Sequence, residues 1–207
     1  RLDGLAAELG DAALPVPMDV SDPASIAGAA ARISEGLGRV DLVVNNAGVM
    51  LAAPFEDRRT DDWQRMIDTN VTGAIRVVDA FLADLVATAA EGRPADLVDI
   101  SSVAAHWSFP SFAVYCATKA ALTHFSRSLR TELGPKRVRV TNIEPGLVET
   151  ELQGHVDHPD VTPMIDDWRK GLTWLSDEDL ADLIAYTVSR PWHVNLPNIV
   201  VMPTQQV

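Results

Sequence analysis

The 207-residue chain is 47% hydrophobic and 22% charged, the composition of one globular domain with a sizeable core. Its 17 Lys plus Arg against 29 Asp plus Glu give a net charge of −12 with no basic block, which argues against a phosphate-tracking nucleic-acid binder. One cysteine, Cys116, rules out an intrachain disulfide and leads us to expect a reducing, cytoplasmic location. No apolar run reaches the ~20 residues of a membrane span, and residues 1–10 lack the pattern of a signal peptide.

In chain order, Leu2, Leu5 and Leu9 stand at helical spacing in the stretch from Arg1, and Gly10 reads as a stop. Ala13–Met18 is short, apolar and broken by proline, a strand expected near a sheet edge. Ser21 or Asp22 caps a helix with Pro23 in its first turn, running to about Gly36. Val40–Val44 reads as a buried parallel strand. From Asp61 to Ala89 a long amphipathic helix is predicted. Its stripe is Trp63, Met66, Ile67, Val71, Ile75, Val78, Leu82 and Leu85.

Leu97–Ile100 is the next strand, Val114–Leu133 a helix ended by Gly134-Pro135, and Val138–Ile143 a further strand. Gln153–Leu175 has no clean period and carries His155, His158, Trp168 and Trp174. It reads as part of a substrate loop at about 147–175. Ser176 with Asp179 forms a capping-box pattern before a helix to about Arg190, and Asn198–Met202 is a last strand. This alternation predicts an α/β fold, a Rossmann-like doubly wound parallel sheet in a single domain over residues 1–207.

Four local patterns carry chemistry. Asn45-Asn46-Ala47-Gly48 follows a strand, where ligands of open α/β sheets bind and small residues let them approach backbone. By itself, an Asn/Gly-rich turn explains it equally well. Ser101-Ser102 closes another strand, a position where a serine is usually a cap. Tyr115 precedes Lys119 by four, so both share one helix face. With two tyrosines and three lysines in the chain, chance seldom gives this spacing. Pro145-Gly146, with Thr150 four beyond the glycine, ends the strand over 138–143.

Together with Asn70 in Asn70-Val71-Thr72-Gly73, these motifs resemble the short-chain dehydrogenase/reductase family, in the right order along essentially the whole chain. Met50-Leu51-x-x-Pro54, Ile143-Glu144-Pro145-Gly146 and Pro203-Thr204-x-Gln206-Val207 are similar to an NADPH-dependent reductase subgroup. The resemblance implies Asn70, Ser102, Tyr115 and Lys119 as the catalytic set. It also implies a dinucleotide contacted by Asp19, Val20, Asn46, Ala47, Gly48, Tyr115, Lys119, Pro145, Gly146, Val148 and Thr150. Asn70 would position a water in a proton relay reaching Lys119. NADP is the implied cofactor, with NAD as the alternative.

The family's opening strand, Gly-rich turn, helix and second strand have no counterpart here, and no Gly-x-x-x-Gly-x-Gly occurs. The expectation is that the sequence lacks the N-terminal part of the sheet and by itself binds dinucleotide poorly.

Tyr115 is then general acid in reduction and general base in oxidation. A phenol of pKa ~10 needs nearby positive charge to exchange protons at neutral pH. Lys119 and an oxidised nicotinamide would supply it. The substrate is expected to be a small-to-medium apolar ketone or aldehyde lying between Ser102, Tyr115 and the loop from Leu147 to Leu175. Met164, Trp168, Leu172 and Trp174 would anchor it, and Asp157, Asp160, Asp166 and Asp167 would disfavour anions.

His106 is placed beside this pocket, with Trp107, Phe109 and Phe112 as its wall. Cys116 reads as core, and the histidines show no zinc spacing, so no metal site is assigned. A homodimer or homotetramer is expected through the helices at 61–89 and 114–133, with Phe81, Leu85 and Phe125 as contacts. No nucleic-acid or membrane partner is expected. The alternative function is a non-catalytic dinucleotide-binding regulator on the same scaffold, which need not keep all four polar residues. A sugar-nucleotide epimerase also shares Tyr-x-x-x-Lys, but the Asn-Asn-Ala-Gly pattern argues against it.

Overall fold

A computed structural model describes residues 2–206. Arg1 and Val207, included in the first-helix reading and the C-terminal motif above, lie outside the described residues. Four parallel strands form one sheet in the order β1-β2-β3-β4: Leu42–Asn45, Asp96–Ile100, Arg139–Pro145 and Asn198–Val201. Each follows the expected strand to within a few residues. Asn45 pairs with Asp99, and Asp99 with Asn142, so the carboxyl ends of β1, β2 and β3 lie side by side.

Seven α-helices accompany the sheet among the described residues: α1 Leu2–Leu9, α2 Pro23–Leu37, α3 Thr60–Ile67, α4 Ala74–Ala90, α5 Ala113–Leu133, α6 Thr162–Gly171 and α7 Asp177–Val188. The caps form as the sequence predicts. The Asp22 carboxylate accepts from Ala24 N–H (2.9 Å), and Ser176 with Asp179 makes a reciprocal capping box. α4 and α2 pack together, α4 against β1, and α5 against β2 and β3. Val43, Val78, Phe81, Leu85, Leu97 and Val140 meet in the core they enclose. No described helix is long and apolar enough to cross a membrane.

Four expectations are corrected. Ala13–Met18 joins no sheet: Pro15 and Pro17 remove two ladder donors, and the N-terminal part of the family's sheet has no counterpart in the sequence. Val40–Val44 is not a fully buried strand: β1 alternates, leaving Leu42 and Val44 37% and 40% exposed. The long helix is interrupted between α3 and α4 by a π-helical turn, Asp68–Gly73. Finally, Phe81 and Leu85 are core residues, 6% and 0% exposed, and Phe125 packs against the same core. Phe81 and Leu85 are therefore not available as contacts between subunits, while Phe125 is partly exposed.

The predicted stripe holds on both sides of the π turn at Met66, Val78 and Leu85, which are buried, with Leu82 packed against the core. Ile67 and Ile75, which flank the turn, are exposed, while Ala74, Val77 and Phe81 face inward. Gly73 sits where a Cβ would come within 2.8 Å of Val20 O, so the Asp19-Val20 segment packs directly on the π turn.

Candidate active site

The ends of β1, β2 and β3 open into a polar cleft of about 900 Å³. Asn46, Gly48, Tyr115, Lys119, Pro145, Gly146, Val148 and Thr150 line it, eight of the eleven residues expected at a dinucleotide. Asp19, Val20 and Ala47 do not. Asp19 accepts from Ser21 N–H and hydroxyl, and Val20 is buried against the π turn. A Cβ at Gly48 would lie 3.4 Å from Asn70 Oδ1 and 3.8 Å from Lys119 Nζ. The turn after β1 thus passes close to two of the four polar residues.

Beside the cleft lies an apolar cavity of about 390 Å³. Trp107, Phe109, Phe112, Trp168 and Leu172 line it as expected. Met164 and Trp174 pack behind the wall, and Ile165 takes the inner position. α6 supplies Ile165 and Trp168, so the aperiodic stretch holds a helix that covers the cavity. Periodicity missed it; Leu152, within the expected substrate loop, and Met50, in the motif Met50-Leu51-x-x-Pro54, also line the cavity without having been singled out for it. The four loop aspartates do not line it, which removes them as its electrostatic wall. Asp157 instead accepts from Arg59 (2.7 Å), and Asp167 pairs with Lys170 (3.2 Å).

Ser102 and Tyr115 line both spaces. α5 carries Tyr115 and Lys119 on its buried face, 6% exposed each. The Tyr115 phenol hydrogen-bonds the Ser102 side chain, and burial pushes it up to about 12. Ser102 Oγ also donates to Pro145 O (3.4 Å) and accepts from Ala104 N–H (3.1 Å). Lys119 Nζ donates to Ile100 O (2.9 Å) and lies 5.9 Å from the Tyr115 ring centroid. Burial pushes its ammonium down to about 8, against the opposing pull of Asp99. Burial in turn raises Asp99, while hydrogen bonds from Ser126 and Asn45 and the Lys119 charge oppose the rise.

Asn70 sits inside the π turn, 1% exposed. Its Oδ1 accepts from Val49 N–H (2.8 Å), while Nδ2 donates to Val49 O (2.9 Å) and Thr118 Oγ1 (3.1 Å). The side chain therefore fastens the strand-end turn to α5, one residue from Lys119. Ser101 is tied to α5 as well: it donates to Lys119 O (2.9 Å). His106 does not line the cavity. It bonds Glu144 Oε1 (2.9 Å) at the end of β3. Burial pushes Glu144 up, but hydrogen bonds from Asn198, His106 and Thr123 outweigh it and hold the carboxyl below its usual range. Cys116 packs in the core beside Tyr115, its thiol raised by burial, which fits packing and not nucleophilic attack.

A parallel α/β sheet whose polar cleft opens at the carboxyl ends of its strands defines a protein of the nucleotide-binding α/β class. The profile of the short chain dehydrogenases matches residues 1–160, and the chain belongs to that family. Serine 3-dehydrogenase of Rhizobium radiobacter is 38% identical over 207 residues, covering 100% of this chain and 81% of its own length. Sulfoacetaldehyde reductase of Chromohalobacter salexigens is 39% identical over 211 residues, with the same two coverages. The solved closed form of serine dehydrogenase complexed with NADP+ superposes with a TM-score of 0.91 at 33% identity, over 100% of this chain and 82% of that one.

Proposed function

We propose that the protein transfers a hydride between NADP(H) and the carbonyl or secondary alcohol of a small-to-medium organic substrate. The observation that carries this reading is the junction at Ser102 and Tyr115 between an apolar cavity and a polar cleft. A substrate carbonyl at that junction meets two hydroxyls. The relatives named for dehydrogenation, and a neighbour solved with NADP+, support the same class.

A Gly-rich turn for the pyrophosphate has no counterpart in these residues, and the cleft fits the nicotinamide end of a dinucleotide in size and position. Asn46, Gly48, Lys119, Pro145, Gly146, Val148 and Thr150 would hold it; when bound, it supplies or accepts the hydride. Ser102 binds the substrate oxygen, and Tyr115 gives it a proton. A phenol held at about 12 is protonated at neutral pH, the form that carbonyl reduction consumes. In the alcohol-oxidising direction the same group must lose its proton, which needs positive charge from Lys119 and the cofactor. Asn70 is the positioning residue. It holds the turn at Gly48-Val49 and the Thr118 hydroxyl beside Lys119 in one arrangement. Residues 147–175 form the substrate loop.

This reading includes a cytoplasmic homodimer or homotetramer. With Phe81 and Leu85 buried, the contact surface falls to the exposed small residues of α4 and α5, such as Ala83, Ala117 and Ala121. Oxidation of NADPH with a panel of neutral ketones and aldehydes tests the activity. Turnover of at least one supports it. Cofactor binding with no turnover of any favours the regulator alternative.

A further inference from the structure

Among the described residues no Asp, Glu, Lys, Arg or His lines the apolar cavity. Its polar side-chain groups besides Ser102 and Tyr115 are the indole N–H groups of Trp107 and Trp168 and three glutamine side chains, Gln153, Gln205 and Gln206. Gln153 is satisfied at both ends: Nε2 donates to Val148 O (3.0 Å), and Oε1 accepts from Thr150 Oγ1 (3.4 Å). The other two differ. Gln206 Oε1 accepts from Leu147 N–H (2.9 Å), and Gln205 Oε1 from Thr173 N–H (2.9 Å).

A backbone N–H can only donate, so both amides have a fixed orientation. Each Nε2 amino group is left without a partner among the described residues. The same two bonds tie the C-terminal segment to both ends of the substrate loop, at Leu147 and Thr173. Gln206 also lies against Gly146, where a Cβ would come within 2.2 Å of its Oε1. Pro145, the preceding residue, accepts from Ser102 Oγ.

We infer that the Gln205 and Gln206 amino groups form a neutral donor subsite, which selects uncharged carbonyl compounds bearing a second hydrogen-bond acceptor, such as an ester or amide, on an apolar body. The inference rests on the oxidoreductase reading and specifies its substrate class. An amide donor recognises a neutral oxygen without the desolvation cost of an ion. A carboxylate or sulfonate would enter a cavity with no cation to compensate it. A substrate without the second acceptor would forgo one or two hydrogen bonds at the rim of a largely apolar cavity, where Gln205 is exposed and Gln206 half-buried.

Three compounds separate the alternatives: benzylacetone, the ethyl ester of the matching phenylalkyl α-keto acid, and the free α-keto acid anion. Affinity is measured by calorimetry with NADP+ present, and kcat/KM with NADPH. The ester should bind about tenfold more tightly than the ketone, the scale of one hydrogen bond, and the anion most weakly. Gln205→Glu and Gln206→Glu keep an oxygen for Leu147 or Thr173 N–H but remove the amino donor. In at least one of them the ester-to-ketone ratio should fall about tenfold, a comparison that cancels the greater intrinsic reactivity of the ester. Tightest binding of the anion, or an unchanged ratio in both variants, overturns the inference. The expected binding order with no turnover would leave the subsite standing and overturn the oxidoreductase reading.

Discussion

Asn70→Ala removes a side chain that is fully satisfied by the protein. Oδ1 and Nδ2 hold both backbone groups of Val49, at 2.8 and 2.9 Å, in a region where Asn70 is 1% and Val49 9% exposed. Thr118 keeps its bond to Tyr115 O (2.7 Å) and loses only the one to Asn70. Two buried backbone groups without partners cost about 1–3 kcal/mol each, so about 2–6 kcal/mol in all. For a chain of this size each kcal/mol lowers the melting temperature by about 2–4 °C. The expected drop is therefore at least about 4 °C, a large share of the ~5–15 kcal/mol that holds a domain folded. Turnover should fall as well, because the Gly48-Val49 turn loses its attachment to α5. Calorimetric melts and kcat measured at a temperature where the variant is folded check both. A melting temperature within about 2 °C of the parent would refute the view that Asn70 fastens this turn.

Lys119→Met should be more stable yet inactive. A shift from 10.5 to about 8 corresponds to on the order of 3 kcal/mol against folding at pH 7, of which the lost bond to Ile100 O offsets ~1 kcal/mol. The folded value is the lower one, so the unfolded chain binds more protons between pH 8 and 10.5. The Lys119 contribution to stability therefore rises with pH across that window and vanishes in the variant. Melting curves at pH 7 and at higher pH check the sign, and greater instability of the variant at pH 7 contradicts it. Gly73→Ala places a Cβ 2.8 Å from Val20 O and 3.0 Å from Asp68 O, both backbone atoms that cannot step aside. A loss of about 1–3 kcal/mol is expected in urea unfolding, and a parental midpoint would refute the packing of Val20 on the π turn.

Much of this site was legible because its residues sit at strand ends or one helical turn apart, relations that sequence spacing encodes directly. The turn after β1, Ser102 and the Tyr115–Lys119 pair come together as expected. What spacing does not encode is an interruption of a helix. The π turn at 68–73 breaks the predicted long helix where Asn70 is buried, and Ile75 just beyond it is exposed. Nor did spacing reveal the helix over the cavity, where Pro163 opens α6 inside a stretch of mixed polarity. Gln205 carried no signal, and Gln206 only its place in the motif Pro203-Thr204-x-Gln206-Val207. Their position depends on bonds to Leu147 and Thr173, 59 and 32 residues away in the chain. The bond from His106 to Glu144 spans 38 residues and was equally out of reach.

The central claim is that Tyr115 passes a proton to the substrate oxygen at the junction of cavity and cleft. Tyr115→Phe deletes one oxygen and keeps the ring that packs against Phe112. Steady-state reduction of a neutral ketone by NADPH should fall by ~10²–10⁴-fold, the usual contribution of a positioned acid. NADPH affinity, followed in the same preparation by fluorescence titration, should change by far less. Activity within about tenfold of the parent would contradict the claim.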